Sequence, residues 1–101
     1  MSFQTLRVLG VMLQRPDSDY YGLELIELAR VSAGTLYPVL ARLERYAWLE
    51  SNWENIDPRV TGRSPRRYYR LTDQGKAHAK EVLSEMEQLV NGRTATAWPR
   101  S

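Results

Sequence analysis

Between residues 49 and 71 the hydrophobic pattern leaves a helical period, runs with a period of two on either side of a polar loop, and then turns helical again. In "LESNWEN", Leu49, Ser51 and Trp53 fall on one face and Glu50, Asn52 and Glu54 on the other. In "RYYRL", Tyr69 and Leu71 oppose Tyr68 and Arg70. Strict alternation is the signature of a strand, and two such runs separated by a Gly- and Pro-marked stretch predict a two-stranded hairpin. Its loop, roughly Ile56 to Arg66, is longer than a tight turn and should project and move.

Helices are predicted on both sides. In "FQTLRVLGVML", Phe3, Leu6, Leu9 or Gly10, and Leu13 share one helical face behind a Ser2 N-cap, and Pro16 ends the run. Tyr21 to Val31 resumes the period through Leu25, Ile26, Leu28 and Ala29. A third helix follows in "SAGTLYPVLARLERYAWL", with Leu36, Val39, Leu40 and Leu43 as its apolar stripe. Its opposite face carries Gly34, Pro38, Ala41 and Arg45, edged by Tyr37 on one side and Thr35 and Arg42 on the other. A ridge of small residues suits a helix whose backbone approaches another surface closely. Pro38 means that this helix either starts nearer Thr35 or is kinked. Thr72 caps a final helix through about Val90, which ends at Asn91-Gly92.

The order helix, helix, helix, strand, basic loop, strand, helix describes a winged helix-turn-helix, mainly α with a two-stranded β wing. The expected organisation is a DNA-binding domain over residues 1–71, a dimerisation helix over 72–91 and a loose tail over 92–101. With 101 residues the chain fits one domain. Cysteine is absent and His78 is the only histidine, which excludes disulfides and cysteine-ligated metals and leaves little for nucleophilic triads. No metal, cofactor or enzymatic activity is expected. The sequence lacks a membrane-length apolar run and a signal-peptide pattern, so a cytoplasmic protein with no membrane partner is expected.

Net charge is only +2, but Arg59, Arg63, Arg66, Arg67 and Arg70 lie in a stretch without carboxylates between Asp57 and Asp73. Local positive charge on a hairpin tip is what a phosphate-facing surface needs. Arg63, Ser64, Arg66 and Arg67, shaped by Gly62 and Pro65, are therefore the wing candidates for DNA, with bracing of the strand as a second reading for Arg67. Ser32, Thr35, Tyr37 and Arg42 are the candidates on the third helix. Ser32 also reads as an N-cap, Tyr37 as a core-edge residue, and Arg42 and Arg45 as surface partners of acids such as Glu44. Tyr20, Tyr21 and Tyr68 read as packing residues with tethered hydroxyls rather than base-stacking platforms, and His78 as structural or solvated.

Three segments, "YYGLELIEL", "SAGTLYPVLARLE" and "GRSPRRYYRLTDQG", occur in an order and spacing that resembles the PadR-type transcriptional regulators across roughly residues 3 to 90. The resemblance implies a dimeric DNA-binding regulator, usually a repressor, with DNA contacts from the recognition helix and wing tip. The single helix after the wing resembles the short subgroup. It also implies an interface between the last and first helices, for which Phe3, Leu6, Val82, Met86, Leu89 and Val90 are the candidates. The expected partners are a second copy and a palindromic double-stranded operator. Related proteins often bind aromatic ligands, but Trp48, Trp53 and Trp98 do not define a site for a small aromatic effector. The alternative is a winged-helix module that docks on another protein.

Overall fold

In the computed structural model the described residues are 1–91; the tail, with Trp98, lies outside them. Helix α1 spans Phe3–Gln14, and the Ser2 hydroxyl accepts the Thr5 N–H at 3.1 Å, one of the donors that a helix N-terminus leaves unpaired. Past Pro16 the chain extends into strand β1, Tyr20–Tyr21. The buried Tyr20 hydroxyl donates to the Val11 carbonyl at 3.2 Å, so one side chain fills the core and closes the end of α1.

Helix α2 spans Gly22–Ala29 and starts with the Glu24 carboxylate accepting the Tyr21 N–H at 2.9 Å. It stops at Arg30, whose φ of 56° places a non-glycine residue in the left-handed region. Helix α3 spans Ala33–Arg45 and strand β2 spans Leu49–Trp53. Helix α4, a single turn over Pro58–Thr61, precedes strand β3, Arg67–Leu71, and helix α5 covers Asp73–Val90 behind Thr72.

The expected two-stranded wing is the β2–β3 hairpin, and β1 adds a third strand that the sequence pattern did not show, giving an antiparallel sheet in the order β1-β3-β2. Tyr20 pairs with Tyr69 and Tyr21 with Tyr68, while β2 runs against β3 from Leu49↔Leu71 to Trp53↔Arg67. A two-residue strand has no period to read, and its pairing is a contact between distant parts of the chain. The hairpin loop holds one helical turn: Asp57 caps α4, Pro58 occupies its first turn, and Gly62, at φ 75°, closes it by donating its N–H to the Pro58 carbonyl at 2.8 Å.

Leu9, Met12, Leu25, Leu36, Leu40, Leu43, Leu49 and Leu71 join Tyr20 and Tyr69 in one core, each aliphatic side chain contributing about 1.5–3 kcal/mol. Helix α5 packs on this core through Ala79 and Leu83. Its first turn meets the turn after α3: the Thr72 hydroxyl accepts the Gly75 N–H at 2.9 Å and donates to the Ala47 carbonyl at 2.6 Å. Lys76, paired with Asp17 and Asp73, ties the same turn to the end of α1. Among the described residues no helix is long and apolar enough to cross a membrane.

Candidate nucleic-acid interface

Helix α3 begins at Ala33, with the Ser32 hydroxyl accepting the Thr35 N–H at 3.2 Å, and continues unbroken to Arg45. Pro38 therefore sits inside it. Having no N–H, Pro38 leaves the Gly34 carbonyl without its helical donor, and both residues lie on the exposed face. Leu36, Val39, Leu40 and Leu43 are buried, while Gly34, Pro38, Ala41 and Arg45 are exposed as the helical spacing predicts. The outcome is a helix anchored along one side and nearly flat along the other. Tyr37 stands at the edge of that flat face, its hydroxyl close over Gly22, where a β-carbon would come within 2.5 Å of it.

The wing arginines have unequal surroundings. Glu54, one residue beyond β2, has a side chain only 11% exposed. Its carboxylate accepts both terminal nitrogens of Arg63, at 2.7 and 3.0 Å, the Arg66 backbone N–H at 2.8 Å and the Tyr21 hydroxyl at 3.1 Å. The Arg63 hydrogen bonds, supported by those from Arg66 and Tyr21, hold this carboxyl at a pKa of about 2. The same contact with Glu54 raises the Tyr21 phenol and the Arg63 guanidinium above their usual values.

Arg67 turns back to the base of the wing. It donates to the Ser51 hydroxyl at 2.7 and 3.0 Å and to Glu44 of α3 at 3.4 Å, with its guanidinium over the Trp53 and Tyr69 rings. Of its two readings, this geometry is that of a brace. Arg70 is held by Asp19 at 2.7 Å and Arg59 by Asp57 at 3.3 Å. Among the described residues Arg66 has no carboxylate within salt-bridge distance; its guanidinium lies over the Tyr21 ring, 5.8 Å from the centroid.

Tyr37 of α3 and Arg66 and Arg67 of the wing meet around one cleft of about 300 Å³, completed by Tyr21, Gly22, Leu23, Glu24 and Tyr69. Ser32 and Thr35 form the cap of α3, and Arg42 borders a separate hollow with Met1, Thr5 and Tyr46. Ser64 lies on the exposed wing tip, where its carbonyl accepts from Arg63 at 3.3 Å. Sequence reasoning missed Glu54, Glu44 and Asp19 as partners of these arginines. The hairpin register was the available signal for Glu54: with Trp53 opposite Arg67, Glu54 falls opposite Arg66.

The aromatic residues divide in the same way. Trp48 is half-buried and stacks on His78, with centroids 4.9 Å apart and planes 4° apart, whereas Trp53 is exposed on the wing. Of the residues expected at an interface between copies, Phe3, Leu89 and Val90 are 65%, 63% and 75% exposed, and Val82 and Met86 are half-buried. Leu6, at 7% exposure, is covered by its own chain.

This sequence and this element order have counterparts among known proteins. The transcriptional regulator Rv3488 of Mycobacterium tuberculosis is 36% identical over 98 residues, covering 88% of this chain and 87% of the relative. A PadR-like transcription factor from Bacteroides fragilis superposes with a TM-score of 0.68 at 26% identity, over 92% of this chain and 91% of that one. BpsR of Bordetella bronchiseptica, whose DNA binding is regulated by 6-hydroxynicotinic acid, shares the fold at a TM-score of 0.73 and 17% identity. The match covers 91% of this chain but only 64% of BpsR. The sequence profile of the PadR-like transcriptional regulators matches residues 8–81. The chain belongs to the PadR-like family, and it is a DNA-binding transcriptional regulator rather than an enzyme.

Proposed function

We propose that the protein is a cytoplasmic repressor that binds a palindromic double-stranded operator as a homodimer. The observation that carries this reading is the exposed small-residue face of α3, Gly34, Pro38 and Ala41, set beside the uncompensated Arg66 of the wing. A helix that is flat on its outer side enters a major groove without steric penalty, and a guanidinium at its flank meets the adjoining backbone or minor groove. Ser32, Thr35, Tyr37 and Arg42 are the contacts proposed from the helix. Arg66 leads those from the wing tip with Ser64 beside it, while Arg63, the other candidate there, is engaged by Glu54 in the free protein. Arg67 supports the wing from its base. Occupying the groove excludes other proteins from the same site, which is repression by occlusion.

The exposed Phe3, Leu89 and Val90, with Val82 and Met86, support association of two copies, since several such side chains contribute about 1.5–3 kcal/mol each when fully buried. A two-fold axis between protomers calls for inverted half-sites about one helical turn apart. A small aromatic effector belongs to the same reading, by analogy with the regulation of BpsR. Selection of bound duplexes from a random pool, at a stated salt concentration, tests the proposal. An enriched inverted repeat is expected; a folded chain that enriches no sequence contradicts it and favours docking on another protein.

A further inference from the structure

One carboxylate gathers the wing tip: Glu54 lies just beyond β2, outside α4 and β3, and its four hydrogen bonds reach three different parts of the chain. Two come from the Arg63 side chain, beyond α4; one comes from the backbone of Arg66, where β3 begins; one comes from Tyr21, the last residue before α2. Glu54 N–H also donates to the Arg66 carbonyl at 2.8 Å, so backbone and side chain fix the same residue. The Tyr21 ring, held by its hydroxyl, lies beneath the Arg66 guanidinium and edge-on to Tyr68.

We infer that Glu54 is a positioning residue for duplex binding: by clasping Arg63 and the Arg66 backbone against Tyr21, it withholds one wing cation from DNA and presents the other in a fixed direction. This rests on the duplex-binding reading above. The chemistry supports a division of labour. A guanidinium bound bidentately to a carboxylate has its charge compensated and its fork occupied, whereas one lying on an aromatic face keeps its donors outward. Without the clasp, Arg63 and Arg66 become equivalent mobile cations on a loop. Such a loop grips phosphate more and distinguishes sequences less, because phosphate contacts carry no direct sequence information.

The test compares wild type, Glu54→Gln, Arg63→Gln and the double variant of the full chain. In the free protein, Glu54→Gln should speed amide hydrogen exchange at Arg66, whose N–H bonds to that carboxylate. On duplex, freeing Arg63 should steepen the dependence of log affinity on log salt by up to about 0.9, one extra phosphate contact, and lower the ratio of operator to random-sequence affinity. Adding Arg63→Gln to Glu54→Gln should remove the added slope. A purely structural role predicts a lower melting temperature with uniformly weaker binding and no steeper slope. That result, or strictly additive effects of the two substitutions on slope, overturns the inference. Unchanged Arg66 exchange overturns the clasp itself. A wild-type chain that binds no duplex, while Arg66 exchange still responds, overturns the duplex reading and the positioning role together but leaves the clasp standing.

Discussion

The carbonyl oxygen of Trp48 lies directly against the α-carbon of Gly75, where an added β-carbon would come within 1.9 Å of it. This contact joins the turn after α3 to the first turn of α5, and the backbone rather than a flexible side chain sits in the way. The Thr72 N–H, donating to the same Trp48 carbonyl at 3.0 Å, closes the junction. Any surface carried by α5 is thus mechanically connected to the end of α3.

Gly75→Ala should consequently destabilise the fold by about 1–3 kcal/mol or more, because neither backbone can yield without losing the Thr72 bonds. The expected outcome is a clearly lower midpoint in chemical denaturation. An unchanged midpoint would mean that the approach is looser than described.

The clasped Glu54 makes a prediction about acid. Its folded pKa of about 2 lies below the ordinary glutamate value of about 4.3, so its contribution is complete above that ordinary value and is lost as pH falls through about 2. Carboxyl-carbon NMR titration should give a midpoint near the lower figure. The wing amides should keep their shifts at pH values where exposed glutamates are already protonated. A Glu54 midpoint in the normal carboxylate range contradicts the geometry.

Association between copies is expected to depend on the far end of α5. Neither Leu89, which is exposed, nor Met86 belongs to the buried core, so a Leu89→Glu, Met86→Glu double variant should keep its helical content and lose self-association. Light scattering at micromolar concentration checks this. A wild-type monomer defeats the dimer proposal, and a double variant that stays fully dimeric puts the interface elsewhere.

How much of this was legible before the structure follows from the range of the interactions. The apolar stripe of α3, the caps at Ser2, Ser32 and Thr72 and the β2–β3 alternation depend on residues a few positions apart, and the structure has them where the sequence implied. Strand β1 was not legible, because Tyr20 and Tyr21 become a strand only by pairing with β3. The unequal arginines were hidden for the same reason. A stretch without acids in sequence meets acids in space: Glu54 across the hairpin, Glu44 from α3 and Asp19 from the turn before β1. Charge counting along the chain finds the patch, but only the side-chain contacts show that Glu54 takes Arg63 and that, among the described residues, Arg66 has no carboxylate within salt-bridge distance.

The central claim, that α3 and the wing together form the duplex-binding surface, is tested most directly by operator affinity as a function of salt for wild type, Arg66→Ala and Ala41→Trp. Both substitutions are at exposed positions, so all three chains should fold alike. The account predicts a steep slope for wild type, a slope shallower by about 0.9 for Arg66→Ala, and a large loss of affinity for Ala41→Trp, whose indole would fill the space that the groove must occupy. Wild-type affinity and slope in both folded variants would contradict it.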